Sequence, residues 1–300
     1  METAAVSMSK NRCMRCLLIF RLVYTGVLLA AASGRAADSR SRFASLDGIR
    51  IHYESYGEGG EALVFIHGWT CDLTFWRGQE PVYSAHRSLL IDLPGHGESD
   101  KPHIPYPAEL FARAVEAVMA DAGVDRAVLI GHSLGGGIAY TFSRMFPQKA
   151  KAIVIVDATV ARPITALGPQ TLSRYRERAK KMRGPAGEKT FIRQVNAMFS
   201  DLTPPAMRAE ILSKMLGTPR HVRVAAVTSI SKLPPADPNE TFDIPALAVT
   251  STFSPERVAL MRSIFPSLEI EKWDNYGHFL MMEDPERFNL TLEAFLAAQP

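Results

Sequence analysis

The sequence predicts an α/β fold, a mostly parallel sheet flanked by helices, with a helical segment inserted before the last strands. Three observations carry that prediction. Five short apolar runs, "ALVFIHG", "SLLIDLPG", "AVLIGHS", "AIVIVDA" and "PALAVTS", are bounded by Gly, Ser, Asp or Thr and read as strands buried on both faces. Helix-like segments alternate with them, and a βαβα order calls for parallel strands joined by right-handed crossovers. That rhythm breaks between about Thr159 and Glu240, where the chain is rich in Met, Arg, Lys and Pro and has no convincing strand, and it resumes at Ile244.

Taken in order, residues 1–36 have a basic start (Lys10, Arg12, Arg15), an apolar run "LVYTGVLLAAA" after Arg21, and a small-residue stretch "ASGRAADS". This is the layout of a secretory signal peptide cleaved near Ala36, and the apolar run is short for a membrane span, which needs ~20 residues. An uncleaved N-terminal anchor is the alternative, because Cys16 to Phe20 extend the apolar stretch across Arg21. The expected destination is therefore export, periplasmic or secreted, with no stable membrane insertion after cleavage. Removing this segment takes away five basic residues and Glu2, which turns the formal charge from +3 into −1. No basic patch for nucleic acid survives that change. Cys13 and Cys16 form a C-x-x-C inside the presumed signal and have no second pair, so Cys71 is the one cysteine expected in the mature chain.

"RFASLDGIRIHYESYG" predicts a hairpin turning at Asp47-Gly48, with Ile49, Ile51 and Tyr53 alternating in period two. The first part of the core spans 37–158. Its helix "PAELFARAVEAVMADAG" puts Leu110, Ala114, Val115, Val118 and Ala122 on one stripe and closes at Gly123. A second, "LGGGIAYTFSRMFP", runs to Pro147. The insert, 159–240, has helical pieces around Leu172 to Met182, Lys189 to Phe199 and Pro205 to Leu216, and reads as a lid over the sheet's C-terminal edge. The second part of the core, 241–300, ends with "PERFNLTLEAFLAAQ", a helix opening on proline.

The chemistry concentrates in a few stretches. "LIGHSLGG" places Ser133 in G-x-S-x-G, after a strand and before a helix. A serine on so tight a turn needs neighbours without Cβ bulk, and the helix N-terminus behind it supplies positive dipole where an oxyanion would form. "FIHGWTCD" would turn the Trp69 N–H toward Ser133, making it the second oxyanion donor beside the Leu134 N–H. His67 in that stretch reads as a structural histidine fixing the turn, and "DLPGHGESD" as a structural glycine-rich turn. There is no H-E-x-x-H, no clustered His/Asp set and no dinucleotide fingerprint, so neither metal nor cofactor is expected.

The motifs HGW, DLPGHGES, GHSLG and the C-terminal "GHFLMMEDPERF" together resemble the α/β-hydrolase superfamily, of the lidded serine hydrolase and esterase kind, from Phe43 to the C-terminus. The resemblance implies a triad in chain order nucleophile, acid, histidine. Of eight histidines only His221 and His278 follow Ser133. His221 falls in the insert, so His278, in the loop after "SLEIEKW", is the expected base. The acid is the harder assignment. The loop "AVTSTFSPE", where such enzymes most often carry it, offers Ser254 instead. Asp157, ending the neighbouring strand, is the preferred replacement, with Glu256 and Asp274 as alternatives.

Serine at the elbow implies acyl transfer to water, and argues against a dehalogenase or epoxide hydrolase, which would carry aspartate there. The expectation is an exported serine hydrolase of carboxylesterase type, cleaving an ester-like bond of a small-molecule substrate through an acyl-enzyme. Trp69, Phe75, Trp76, Met198, Met215 and Phe279 are candidates to line an apolar acyl pocket. The competing reading is a catalytically degenerate member of the fold that binds a small ligand without turnover.

Overall fold

A computed structural model describes residues 40–158, 160, 173, 177, 179–230, 239–252 and 255–299. The expected signal segment, Ser254 and five of the eleven positions from Leu172 to Met182 lie outside the described residues.

The chain opens with the antiparallel hairpin of β1 (Arg40–Leu46) and β2 (Ile49–Tyr56). Its two-residue turn is Asp47 (φ 50°) and Gly48 (φ 83°), the left-handed pair that matches strand twist in a type I′ connection. Then follow β3 (Glu61–Ile66), a 3₁₀ segment Leu73–Gln79 running into α1 (Glu80–Tyr83), β4 (Ser88–Ile91), α2 (Ala108–Asp121), β5 (Arg126–His132), α3 (Leu134–Met145) and β6 (Ala150–Val156). After β6 comes the insert, with α4 (Gly187–Asn196), α5 (Pro205–Gly217) and α6 (Arg220–Ile230); the last of these was not among the helices expected. The sheet is completed by β7 (Ala246–Thr250), α7 (Pro255–Ile264) and β8 (Glu269–Lys272), and the chain ends in α8 (Leu280–Glu283) and α9 (Pro285–Ala297).

Eight strands form one sheet in the order β1-β2-β4-β3-β5-β6-β7-β8. The pairs β1/β2 and β2/β4 are antiparallel, and every pair from β4 through β8 is parallel. The central strands are apolar on both faces: Val64, Phe65 and Ile66 on β3, Leu129 and Ile130 on β5 and Val154 and Val156 on β6 are fully buried. Each such side chain contributes about 1.5–3 kcal/mol by leaving water, which is why these runs do not alternate. On α2 the buried stripe is Phe111, Ala114, Val115, Val118 and Met119, whereas Leu110 and Ala122 are only partly covered.

The chain leaves β3 to one side, toward β4, and returns to its other side at β5. Such a reversal opens a crevice at the C-terminal ends of the two strands, here Ile66 and His132. Beneath that edge Asp92, at the end of β4, ties the antiparallel and parallel halves together. Its carboxylate accepts from His52 Nδ1 (2.7 Å), Leu73 N (2.8 Å) and Glu98 N (2.9 Å). A Cβ on Gly97 would land about on the Asp92 carboxylate, so the glycine-rich turn closes on this acid, in the structural role expected of it.

Candidate active site

Ser133 stands between β5 and α3 with φ 52° and ψ −115°, a left-handed backbone uncommon for a residue with a Cβ. The flanking glycines make the turn possible. A Cβ on Gly131 would lie 2.3 Å from the Gly135 carbonyl oxygen, and one on Gly135 would lie 2.1 Å from that of Ile66. The Ser133 N–H donates to Val156 O on the next strand (2.9 Å), which pins the turn to the sheet. Behind it the twelve residues of α3 direct their first amides at the Ser133 side chain's surroundings, the positive end of the helix dipole.

His278 sits on the loop between β8 and α8, and its ring bridges two groups. Nδ1 lies 2.6 Å from Asp157 Oδ2 and Nε2 lies 2.8 Å from Ser133 Oγ. With Nδ1–H donating to the carboxylate, the Nε2 lone pair is left to accept the Ser133 proton. The ring is held from three directions: its backbone N–H donates to Met198 O in the insert (2.8 Å), its carbonyl accepts from His132 Nε2 (2.8 Å), and the preceding Gly277 N–H donates to Glu283 Oε2 (2.7 Å). Glu283 also accepts from the hydroxyl of Thr203 in the insert.

Asp157 follows the last residue of β6, also with positive φ (42°). While Oδ2 receives His278, Oδ1 accepts from Ser251 N (2.9 Å), Ser251 Oγ (3.1 Å) and Thr250 Oγ1 (3.1 Å). Burial alone would raise this acid. The hydrogen bond and charge of His278, with the Ser251 amide, outweigh that and hold it down at about 2. Of the alternatives, Asp274 is exposed and paired with Lys272 Nζ (2.5 Å), and Glu256 is exposed in the first turn of α7. The imidazole edge either would need is taken by Asp157.

Among the described residues the Trp69 and Leu134 amides make no turn or cap hydrogen bond. Gly68 lets the chain pass close to the serine, since a Cβ there would fall 3.2 Å from Ser133 Cβ. His67, fully buried, donates through Nδ1 to Gly68 O (2.8 Å) and accepts the Leu93 N–H at Nε2 (3.1 Å), so burial keeps it neutral and it fixes the turn. The indole Nε1 of Trp69 donates to Arg223 O on α6 (3.1 Å), and Thr218 Oγ1 donates to Thr70 O (3.1 Å). Thr70, Ser133, Asp157 and Asn275 make four of the five non-glycine residues with positive φ among the described residues. They gather at this one edge, as costly backbone conformations do where geometry matters more than stability.

Two residues at the site were not singled out in the sequence. His132 is the variable residue of G-x-S-x-G, fully buried, and burial followed by the nearby His278 charge lowers it to about 3. It is a neutral donor to the His278 carbonyl. Ser251 lies in the stretch searched for an acid and supplies donors to one instead. Of the aromatics expected around an acyl pocket, Trp76 packs in the core on Phe65 (ring centroids 5.4 Å) and Phe288 (6.2 Å), and Phe75 stacks at a tilt on Phe279 (5.9 Å). Among the described residues no group of three or more His, Cys, Asp or Glu could hold a metal ion. No helix among them is long and apolar enough to cross a membrane.

Comparison with known proteins sets this geometry in context. Over 117 residues the chain is 35% identical to the dihydrolipoyllysine-residue acetyltransferase component of the acetoin cleaving system of Cupriavidus necator, covering 39% of this chain and 31% of that protein. The chain thus spans about a third of the length of that relative. It is 29% identical over 266 residues to a 2-hydroxy-6-oxononadienedioate/2-hydroxy-6-oxononatrienedioate hydrolase of Burkholderia vietnamiensis, covering 83% of this chain and 91% of that one. Among solved structures it is similar to Est816, described as an N-acyl homoserine lactone degrading enzyme, at 27% identity and TM-score 0.73, covering 85% of this chain and all of that one (100%). The family profile of the alpha/beta hydrolase fold matches residues 61–285, and the chain belongs to that family.

Proposed function

We propose that this protein is a serine hydrolase that cleaves an ester-type carboxylic acyl bond of a small substrate through an acyl-enzyme. The observation that carries the reading is the unbroken hydrogen-bonded line from Asp157 Oδ2 through His278 to Ser133 Oγ, at 2.6 and 2.8 Å. Ser133 Oγ attacks the substrate carbonyl as His278 Nε2 takes its proton. The Trp69 and Leu134 amides receive the developing oxyanion, each such donor being worth roughly 10²–10³ in rate. His278 then protonates the leaving alcohol, and water repeats the sequence to release the acid. Asp157 stays ionised throughout, holds the imidazole in the tautomer that leaves Nε2 free, and stabilises the imidazolium. The helical insert acts as a lid, anchored to this machinery through Met198 and Arg223.

The test is hydrolysis of a p-nitrophenyl ester series, acetate to decanoate, by the purified chain with Ser133→Ala as control. Turnover that depends on Ser133, together with labelling by a fluorophosphonate probe, is the expected result. A folded protein that neither turns over nor labels would instead be a small-ligand binder on the hydrolase fold. Export is part of the same proposal, supported by the layout of residues 1–36. N-terminal sequencing should find a mature chain beginning near Ala37; full-length chain recovered only with membranes would overturn it.

A further inference from the structure

Glu283, the last residue of α8, bonds both to the loop that carries His278 and to the insert. Its Oε2 accepts the Gly277 N–H, the amide immediately before His278, at 2.7 Å. Its Oε1 accepts the hydroxyl of Thr203, and the Ser200 hydroxyl reaches the two oxygens at 3.3 and 3.5 Å. An ionised carboxylate only accepts, so all three groups meet it as donors. Among the described residues it makes no hydrogen bond to the side chains of Ser133, His278 or Asp157. Its contacts serve position rather than proton transfer.

The turn it meets in the insert is built to keep its shape. The Ser200 N–H donates to Thr203 Oγ1 (3.0 Å) and the Thr203 N–H to Ser200 O (3.1 Å). Arg208, on α5, donates to the carbonyls of Ser200 (2.6 Å) and Thr203 (2.8 Å). Thr203 is 1% exposed, and its oxygen already accepts from Ser200, which leaves its proton to point at Glu283. The joint is also closely packed. A Cβ on Gly277 would fall 2.6 Å from Glu283 Oε1 and 2.9 Å from both Met198 O and Ser200 N. Base loop, α8 and insert thus converge on one glycine, one residue before the imidazole that lies 2.8 Å from Ser133 Oγ.

We propose that Glu283 is a positioning residue for His278, and that through it the seating of the imidazole depends on the insert turn 200–203 being docked. This rests on the serine hydrolase reading, because the seating matters only if His278 takes the Ser133 proton. A turn that left its place would remove the donors to Oε1 and free the carboxylate that holds Gly277. A misplacement of about 1 Å at reacting groups costs about 10²-fold in rate. The loss falls on kcat, since the alignment of base and nucleophile is used in the chemical step.

The test compares kcat and KM for a p-nitrophenyl ester among full-length variants, with melting temperature measured alongside. Glu283→Ala lowers kcat about 10- to 100-fold and leaves KM within about twofold. Glu283→Gln keeps one carbonyl acceptor for the Gly277 N–H and recovers part of that loss. Thr203→Val lowers kcat about three- to tenfold and Thr203→Ser, which keeps the hydroxyl, restores it. Because both side chains act through one joint, Glu283→Ala with Thr203→Val is no slower than Glu283→Ala alone. A lowered melting temperature with unchanged kcat in the folded Glu283→Ala protein overturns the proposal, and so do effects that multiply in the double variant. If Glu283→Ala does not fold, wild-type kcat in both Glu283→Gln and Thr203→Val overturns it. Ser133→Ala separates the two readings. A wild type that shows no Ser133-dependent turnover or probe labelling removes the serine hydrolase reading and this role with it, whereas Ser133-dependent turnover indifferent to Glu283 removes this role alone.

Discussion

Among the described residues there are two serine–histidine–aspartate lines with nearly the same distances. In one, Ser133 Oγ, His278 and Asp157 are linked at 2.8 and 2.6 Å. In the other, Ser41 Oγ lies 3.0 Å from His52 Nε2, and His52 Nδ1 lies 2.7 Å from Asp92. A survey of hydrogen bonds alone would not rank them. What separates them is everything around the hydroxyl. Ser41 is the second residue of an ordinary edge strand, paired with Glu54, and no helix starts from it. Ser133 stands on a left-handed turn at a helix N-terminus, near the Trp69 and Leu134 N–H groups, which make no turn or cap hydrogen bond among the described residues. The contrast locates reactivity in the backbone of the nucleophile. The second line is structural: Asp92 also collects two backbone amides and fastens β4, the glycine-rich turn and the 3₁₀ segment to one another.

The largest effect that could break this contrast is on turnover. Ser133→Ala should abolish ester hydrolysis and probe labelling, and Asp157→Asn should cost about 10⁴ in kcat by leaving the imidazole in the wrong tautomer. Ser41→Ala should leave both within about twofold of wild type. Probe labelling that disappeared with Ser41 and persisted without Ser133 would reverse the assignment.

The next largest is on folding. Removing one partner of a buried pair, as in Asp92→Asn, should destabilise the protein by about 3–5 kcal/mol in urea unfolding. Probe reactivity of the folded fraction should survive. A pH dependence sharpens the point. Burial alone would lower His52, but the bond and charge of Asp92 outweigh it and the histidine is raised above 6.5. Burial alone would raise Asp92, but the His52 bond and two amides outweigh it and the acid is lowered below 3.8. The pair's contribution is therefore complete between about pH 4 and 6.5, lost as pH rises through the raised histidine value, and lost as pH falls through the lowered acid value. The gap in melting temperature between wild type and His52→Leu should be widest near pH 5.5 and narrower at pH 9. A gap that grew toward pH 9 would mean the histidine is buried neutral.

The smaller effects concern the shell around the acid and base. His132→Leu leaves the His278 carbonyl without its donor, worth about 1–3 kcal/mol, and should lower kcat about 5- to 100-fold with intact folding. Ser251→Ala deletes one hydroxyl donor to Asp157, worth about 0.5–1.5 kcal/mol, and should lower kcat two- to tenfold. Equal activity of Ser251→Ala and wild type would make the Ser251 amide sufficient by itself. Ser254→Ala should change nothing measurable.

These ranks also mark where the sequence speaks and where it is silent. The strands are legible because a strand buried on both faces must be apolar throughout, and the hairpin because Asp47-Gly48 alone in that run tolerates two left-handed residues. The elbow is legible because glycine is demanded on both sides of Ser133 by backbone contacts under 2.5 Å. The shell is not, because it depends on which strands are neighbours. The β6/β7 register sets Val156 opposite Val249, which brings Asp157 beside Thr250 and Ser251, ninety-odd residues away in sequence. Nothing local in "AVTSTF" says that its hydroxyls serve a carboxylate from another strand. His132 is hidden for a similar reason: its partner, the His278 carbonyl, is a backbone atom 146 residues on.

The bond from the His278 N–H to Met198 O has a consequence for the timing of events. The proposed proton carrier is tethered by its own main chain to the helical insert. If that segment swung away as one piece, the tether would go with it, and the imidazole would lose its alignment just as bulk water arrived. If the insert is the proposed lid, the bond would work as an interlock: the cleft would be either open or armed. A serine behind such a lid would be fully activated only while the bond at Met198 is made, and a variant that weakened that bond would slow turnover without touching the triad.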